Sequence, residues 1–277
     1  MIVVTGATGV IGRALVGLLR GGRRPPPEVL AVARRPAGDL DCPYALADFE
    51  RPETIGALLS PGDRLFLNSS LWPGFADAHR AVIDLAARAG AAQIVSVSVR
   101  GAAPGGRLGT GMHGLVDAHL RKSGVPWTIL QPGGFLQNLP HDFRDGVMYG
   151  SYGPGPVSYV DARDLAEVAA SLLTRPVGPD AEHVLTGPES LSHDRVAEEI
   201  TRALGRPFRY VDLPVREMTA HLERQGMPRP LATDLAALMA ETGDGRWSTT
   251  TTAVQDLTGR PPRSLSAFLA DHREAFA

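Results

Sequence analysis

The sequence predicts an α/β protein built on a doubly wound parallel sheet, with a smaller C-terminal lobe. Three observations carry that expectation. Short β-branched apolar runs alternate with longer amphipathic segments through the first half. A glycine-rich turn joins the first of these runs directly to a helical segment. A Gly/Pro/aromatic stretch then separates this half from a more helical remainder.

In chain order, the first run is Ile2 to Thr5, followed by helical spacing from Val10 to Arg20. The prolines at Pro25 to Pro27 make a turn before a second strand, Val29 to Ala33, and a weaker one follows near Pro43 to Leu46. Strands Arg64 to Asn68, Gln93 to Val97 and Trp127 to Leu130 alternate with helices Ala76 to Ala89 and Met112 to Lys122. Gln131 to Tyr159 carries Gly133, Gly134, Gly150, Gly153 and Gly155 with Pro154 and Pro156, so it reads as loop. Beyond it come a helix over Asp161 to Leu173, a short strand at His183 to Thr186, and a helix over Ser192 to Leu204 with Ser192 as N-cap. Two more helical stretches, near Val215 to Gln225 and Pro230 to Glu241, complete the remainder. The expected division is a nucleotide-binding domain over 1–158, with contributions from 159–190, and a substrate or lid lobe over 191–277.

Bulk properties exclude several classes. With 277 residues, 43% hydrophobic and 21% charged, the chain has globular composition and can bury its own core. A formal charge of −2 offers no global field for nucleic acid or an anionic membrane, so neither partner is expected. The single cysteine, Cys42, rules out an internal disulfide and any cysteine-rich zinc site, and fits a reducing compartment. No signal-like or membrane-spanning run is visible, so a cytoplasmic location is expected; a monomer or weak dimer is the separate expectation for assembly. The histidines other than His113 lack metal-ligand spacing and read as surface or packing residues; no metal site is expected.

The chemistry starts at Thr5-Gly6-Ala7-Thr8-Gly9-Val10-Ile11-Gly12, in strand–loop–helix context. Gly6 makes the tight turn, Gly9 allows backbone to approach a pyrophosphate, and Gly12 lets the helix pack closely on the strand. Free N–H groups and the positive end of the helix dipole then favour phosphate. This is the fingerprint of a Rossmann-type dinucleotide site.

The second strand runs into Arg34-Arg35-Pro36, where an NAD-selective fold would place Asp or Glu on the ribose 2′-hydroxyl. Arg34, with Arg35 behind it, offers a fork suited to a 2′-phosphate, so NADPH is the expected cofactor. A solvated arginine pair on a loop is the other reading. Asp48 and Phe49 follow the third strand, where adenine is contacted, and Asn68 and Ser69 end the fourth, near ribose and nicotinamide.

Taken together, these residues resemble the NmrA-like atypical short-chain dehydrogenases, which include quinone-reductase-like enzymes and redox-sensing regulators. The resemblance extends through Leu120 to Leu130, Gly134 to Asn138, Tyr159 to Ala166 and Leu257 to Pro262. It implies a reductase, but the Tyr-x-x-x-Lys pair of most short-chain dehydrogenases is missing: Lys122 is the only lysine, and no tyrosine precedes it by four. Gly109 and His113 stand in the places of that pair, and Asp117 where relatives carry Glu. His113 is a candidate for holding the cofactor ribose or acting as acid. Ser96 and Ser98 share one face of their strand, and Ser98 is the candidate for polarising a substrate oxygen. Trp72, Phe135, Asn138, Tyr149 and Tyr152, with Ser96, are candidates for the wall of an apolar substrate pocket.

Two functions follow from these expectations. One is an NADPH-dependent reductase of an apolar aromatic ketone or quinone, resembling ketoreductases that tailor polyketide antibiotics. The other is a non-catalytic NADP(H) sensor acting through a protein partner, which the loss of the Tyr-Lys pair also suits.

Overall fold

A computed structural model describes residues 1–21 and 27–276, so the expected turn at Pro25 to Pro27 lies, save for its last residue, outside the described residues. In chain order the elements begin β1 (Ile2–Val4), α1 (Val10–Gly21), β2 (Val29–Ala33), β3 (Tyr44–Leu46), α2 (Pro52–Gly56) and β4 (Arg64–Leu67). They continue with α3 (Phe75–Ala89), β5 (Gln93–Val97), α4 (Leu108–Leu120), β6 (Trp127–Pro132), α5 (Leu139–Asp142) and β7 (Val147–Gly150). The last are α6 (Ala162–Thr174), β8 (Ala181–Leu185), α7 (His193–Leu204), β9 (Arg209–Asp212), α8 (Val215–Arg224), α9 (Arg229–Thr242), α10 (Ala253–Thr258) and α11 (Leu265–Asp271).

The chain folds as two compact units: Met1–Gln131 with Ala162–Val184 and Asp256–Gly259, and Pro132–Asp161 with Leu185–Gln255 and Arg260–Ala277. The second unit thus takes in 132–161, most of which the sequence reading assigns to the first domain.

The first unit is a seven-stranded sheet in the order β3-β2-β1-β4-β5-β6-β8. The pairings β3–β2, β2–β1, β1–β4, β4–β5 and β5–β6 are parallel. The central strands β1, β2 and β4 read as nearly continuous apolar runs because both faces are covered, whereas the edge strands β3 and β8 are only partly covered. Val3, Leu65, Leu67 and Ile94 form one cluster with residues of α2, α3 and α4. The alternate residues Val4, Phe66 and Val95 are equally buried and therefore face the other way, toward the side where α6 contacts β4 and β5 and packs against α1.

Topology and register place the site. The chain runs outward from β1 to β2 and β3, then crosses back to β4 on the other side of β1. Ile2 is level with both Val29 and Arg64, and Val4 with Ala31 and Phe66. The loops after β1, β2 and β4 therefore leave the sheet at one edge, at the point where the strand order reverses, which is where α/β sheets open a crevice.

In the second unit, β7 and β9 form a two-stranded parallel sheet, Val147 beside Arg209 and Gly150 beside Asp212. Both strands lie where the sequence reading expects none. Four residues with a glycine at the end carry too little alternation to register as a strand, and the partner is distant in sequence. Met148, Phe143, Val196, Ile200, Phe208 and Phe268 form the core of this unit. Helix α7 starts as expected, with the Ser192 side chain accepting from the Arg195 amide, and ends at Gly205 in a left-handed conformation of φ 72°. Helices α8 and α9 pack on each other through Met218, Leu222, Ala232 and Ala236. No helix among the described residues is long and apolar enough to cross a membrane.

Candidate active site

The loop between β1 and α1 is built by its neighbours before any ligand is considered. Thr5 is fully buried; its hydroxyl lies 2.9 Å from the Phe66 carbonyl and accepts the Asn68 amide at 2.9 Å. It stitches the end of β1 to the end of β4, and with its side chain buried it frames the cleft from behind. Gly6 sits at φ 62°, and a Cβ there would come 2.7 Å from the Asn68 carbonyl. At Gly12 a Cβ would meet the Gly6 carbonyl at 2.2 Å, so this glycine too serves the packing of α1 and does not line the cleft. Gly9 differs: its backbone is ordinary, it is exposed, and a Cβ would meet only the Gly6 carbonyl, at 3.4 Å. The protein's own packing gives no reason for glycine at this position.

Above the loop lies a cleft of about 700 Å³. Gly6, Thr8, Gly9, Val10 and Ile11 line one side, and Val10 is 61% exposed at the start of α1. The end of β2 contributes Arg34 and Arg35, the turn after β3 Asp48 and Phe49, and the end of β4 Asn68, Ser69 and Ser70. Apart from Thr5 and Gly12, the residues expected around a dinucleotide are those that line this cleft. Arg34 and Arg35 are exposed and make no ion pair with any described residue. Asp48 folds its own turn, accepting the Glu50 amide at 3.1 Å. An elongated cleft with a glycine left open, a helix N-terminus and two unpaired guanidiniums fits a phosphorylated dinucleotide.

Arg13, Asp39 and Trp72 are among the lining residues that were not read from the sequence as part of this cleft. Arg13 donates to the Thr8 carbonyl at 2.9 Å and pairs with Asp39 at 2.6 Å, and its guanidinium holds the Asp39 carboxyl below the usual carboxylate range. Trp72, expected on the substrate side, also lines the cleft and packs at 5.8 Å from Phe49. Arg13 could have been noticed as the first cation after the glycine loop; Trp72 had no such signal.

The two catalytic candidates change character. His113 lies on α4, edge-on to Phe75 at 4.7 Å, and burial depresses its pKa to about 4. At that value the ring is neutral at physiological pH, which speaks against an imidazolium acid and suits the other role considered for it, a hydrogen bond to the cofactor ribose. Ser98 is buried and donates its proton to the Asp117 carboxylate at 2.6 Å. Its one proton is thus directed at Asp117 and not at the strand end where a substrate oxygen was expected. Burial raises the Asp117 pKa to about 6, against the hydrogen bond from Ser98 and the charge of Arg121. Ser96 is buried on the same strand face.

In the second unit, Phe135 is half-buried and Asn138 exposed, at the two ends of a short 3-10 turn. Tyr149 is 37% exposed, with its ring 4.5 Å from His221. Tyr152, expected in a pocket wall, instead stacks on His193 at 4.0 Å, and the same imidazole lies 2.8 Å from the Tyr159 hydroxyl. Burial raises the pKa of both tyrosines, so these phenols stay protonated at physiological pH.

Comparison with known proteins places this geometry. A family model described as NAD(P)H-binding matches residues 6–176. The chain is 34% identical to an NAD(P)H azoreductase of Xenophilus azovorans over 283 residues, covering 100% of this chain and 99% of that protein. It is 31% identical, over 100% of its length and 99% of the relative's, to a (4-alkanoyl-5-oxo-2,5-dihydrofuran-3-yl)methyl phosphate reductase of Streptomyces griseus. Among solved structures, an NADPH-dependent quinone oxidoreductase from Escherichia coli complexed with NADPH is similar with a TM-score of 0.85 and 25% identity, covering 98% of this chain and 99% of that one. The chain belongs to the NAD(P)H-binding family and is an NAD(P)H-dependent oxidoreductase.

Proposed function

We propose that the protein is an NADPH-dependent reductase of an apolar, conjugated acceptor, an aromatic ketone or a quinone. The observation that carries the reading is the cleft itself: a glycine loop at one side, and at the end of β2 two unpaired arginines where no carboxylate stands. Arg34 and Arg35 take the 2′-phosphate, the first amides of α1 the diphosphate, and Asn68 and Ser69 a ribose. Bound NADPH supplies the hydride. Backbone and side chains along the cleft hold it in one orientation, which is the protein's share of the catalysis.

The substrate class follows from proton supply. No tyrosine–lysine pair exists, His113 is neutral, and the Ser98 proton belongs to Asp117. Reducing a simple ketone makes an alkoxide about as basic as hydroxide, whose conjugate acid titrates near ~15.7, and this demands an acid at hand. Reducing a quinone makes a phenolate-like anion whose conjugate acid titrates near ~10, and water protonates it readily. A hydroxylated aromatic ketone carries its own phenol as donor. Polycyclic acceptors of the kind found in aromatic polyketide antibiotics meet both conditions. Similarity to reductases named for azo compounds and quinones supports an acceptor whose added charge is delocalised.

Stopped-flow mixing of enzyme and NADPH with quinones, hydroxylated aromatic ketones and simple aliphatic ketones tests the reading. Loss of reduced-nicotinamide absorbance is expected with the first two groups and not with the third. Rapid reduction of aliphatic ketones, or none of any acceptor while NADPH still binds, contradicts it.

A further inference from the structure

Behind the wall of the cleft, on α3, lies a histidine that the sequence reading treats as packing. His79 is 2% exposed, with its ring between Phe49 at 4.4 Å and Phe75 at 3.9 Å, and Trp72 at 5.8 Å. Its Nδ1 lies 2.9 Å from the Phe75 carbonyl, and its Nε2 3.2 Å from the Ser69 hydroxyl. A carbonyl oxygen only accepts, so Nδ1 carries the ring proton. The ring is neutral, burial having brought its pKa down to about 3, so Nε2 presents a lone pair. In that pair only Ser69 can donate, so its single proton is shared between the imidazole and a second acceptor. The other neighbour of its hydroxyl, the Ser70 carbonyl at 3.1 Å, also only accepts.

Ser69 lines the cleft. With its proton shared between these two acceptors, its oxygen offers the cleft only lone pairs. We propose that His79 is a positioning residue that fixes the Ser69 hydroxyl as a hydrogen-bond acceptor, so that this point of the cleft takes a ligand O–H, a ribose hydroxyl, and disfavours a phosphate or carboxylate oxygen. The inference rests on the dinucleotide reading of the cleft and adds to it a residue that touches no ligand. Phe49 and Phe75 hold the ring from both faces, which keeps Nε2 aimed at Ser69.

Two riboses bring hydroxyls to such a cleft, and the experiment separates them. NADPH and adenosine 2′,5′-bisphosphate, which lacks the nicotinamide half, are titrated into wild type, Ser69→Ala, His79→Phe and the double variant. Phenylalanine keeps the stack and removes both nitrogens. Each single variant is expected to bind NADPH about fivefold to tenfold more weakly, one hydrogen bond's worth. The double variant should be no weaker than Ser69→Ala, because one acts through the other. If the bisphosphate loses affinity in parallel, the adenosine ribose is the donor; if it is unaffected, the nicotinamide ribose is.

Wild-type NADPH affinity in His79→Phe, or losses that multiply in the double variant, overturns the proposal. Should His79→Phe fail to fold, a long-range proton–nitrogen NMR spectrum of the wild type decides: the proton is expected on Nδ1 with no titration above about pH 5. A proton found on Nε2 overturns the proposal. A wild type that binds neither nucleotide refutes the dinucleotide reading instead, and leaves the tautomer result standing.

Discussion

The substitution Gly9→Ala separates what the fold needs from what the ligand needs. Three glycines shape the loop, and the structure assigns them different duties. An alanine methyl at Gly12 would lie 2.2 Å from the Gly6 carbonyl and 2.6 Å from the Ala7 Cα, both backbone atoms that cannot swing aside. Overpacking of this kind costs ~1–3 kcal/mol, so Gly12→Ala should lower the melting temperature by several degrees before any cofactor is added. At Gly9 the only neighbour is 3.4 Å away and the backbone needs no positive φ. There the change should leave apo stability within about 1 kcal/mol, or raise it by ~0.4–1 kcal/mol through the lower entropy of the unfolded chain. The same methyl stands where a diphosphate must approach the backbone, and a clash of ~1–3 kcal/mol weakens NADPH about fivefold to a hundredfold. Thermal unfolding of the apo proteins and fluorescence titration with NADPH read the two effects separately. A Gly9→Ala protein that melts like wild type and binds NADPH like wild type would falsify the assignment of the loop to the diphosphate.

Other perturbations have equally definite outcomes. Arg34→Ala should weaken NADPH by about ten- to a hundredfold, the worth of a charge-assisted contact, and leave NADH nearly unchanged; equal losses count against the 2′-phosphate role. Because His113 titrates near 4 in the folded protein, turnover should show no inflection from that ring between about pH 5 and pH 8, and an inflection near its ordinary value that vanishes in His113→Ala contradicts this. His79, His113 and His193 are held neutral with depressed pKa values of about 3, 4 and 4. The unfolded chain binds more protons below ~6.5, so each should cost about 1.4 kcal/mol of stability per pH unit as pH falls from there toward its folded value. Urea unfolding of wild type and His79→Phe at descending pH should show the shallower slope in the variant. Asp117 has the opposite sign: with its pKa raised to about 6, its contribution is fully present below ~3.9 and lost as pH rises through 6. Asp117→Asn should thus gain about 3 kcal/mol on wild type between about pH 4 and pH 8, and a constant difference refutes the buried-charge reading.

What could be read from the sequence was what is local along the chain. Strands β2 and β5 matched their expected bounds because buried strands appear as short runs rich in β-branched and apolar residues. The glycine loop and Arg34 with Arg35 were legible because their neighbours along the chain are also their neighbours in the cleft. Helix α4 begins four residues earlier than expected because Gly109 and Gly111 weigh against helix in isolation. The structure needs small residues in that helix, since a Cβ at Gly114 would strike the Ala103 backbone at 2.1 Å. Strands β7 and β9 stayed hidden because each exists only through its partner.

The chemistry of the site was less legible, because it depends on which atom a side chain faces. Ser98 and Asp117 are 19 residues apart and meet only when α4 packs on β5. Without that contact, a serine at a strand end looks free to act on substrate. Ser69 and His79 are 10 residues apart, on the end of β4 and on α3, and no pattern of residue types announces their bond. Burial, invisible in composition, turned His113 from a candidate acid into a neutral ring.

Isothermal titration of wild-type protein with NADPH, and separately with NADH, tests the central claim most directly. Saturable one-to-one binding is expected for both, with NADPH the tighter by at least about tenfold. A folded protein that releases no heat with either dinucleotide, or that prefers NADH, contradicts the account of the cleft.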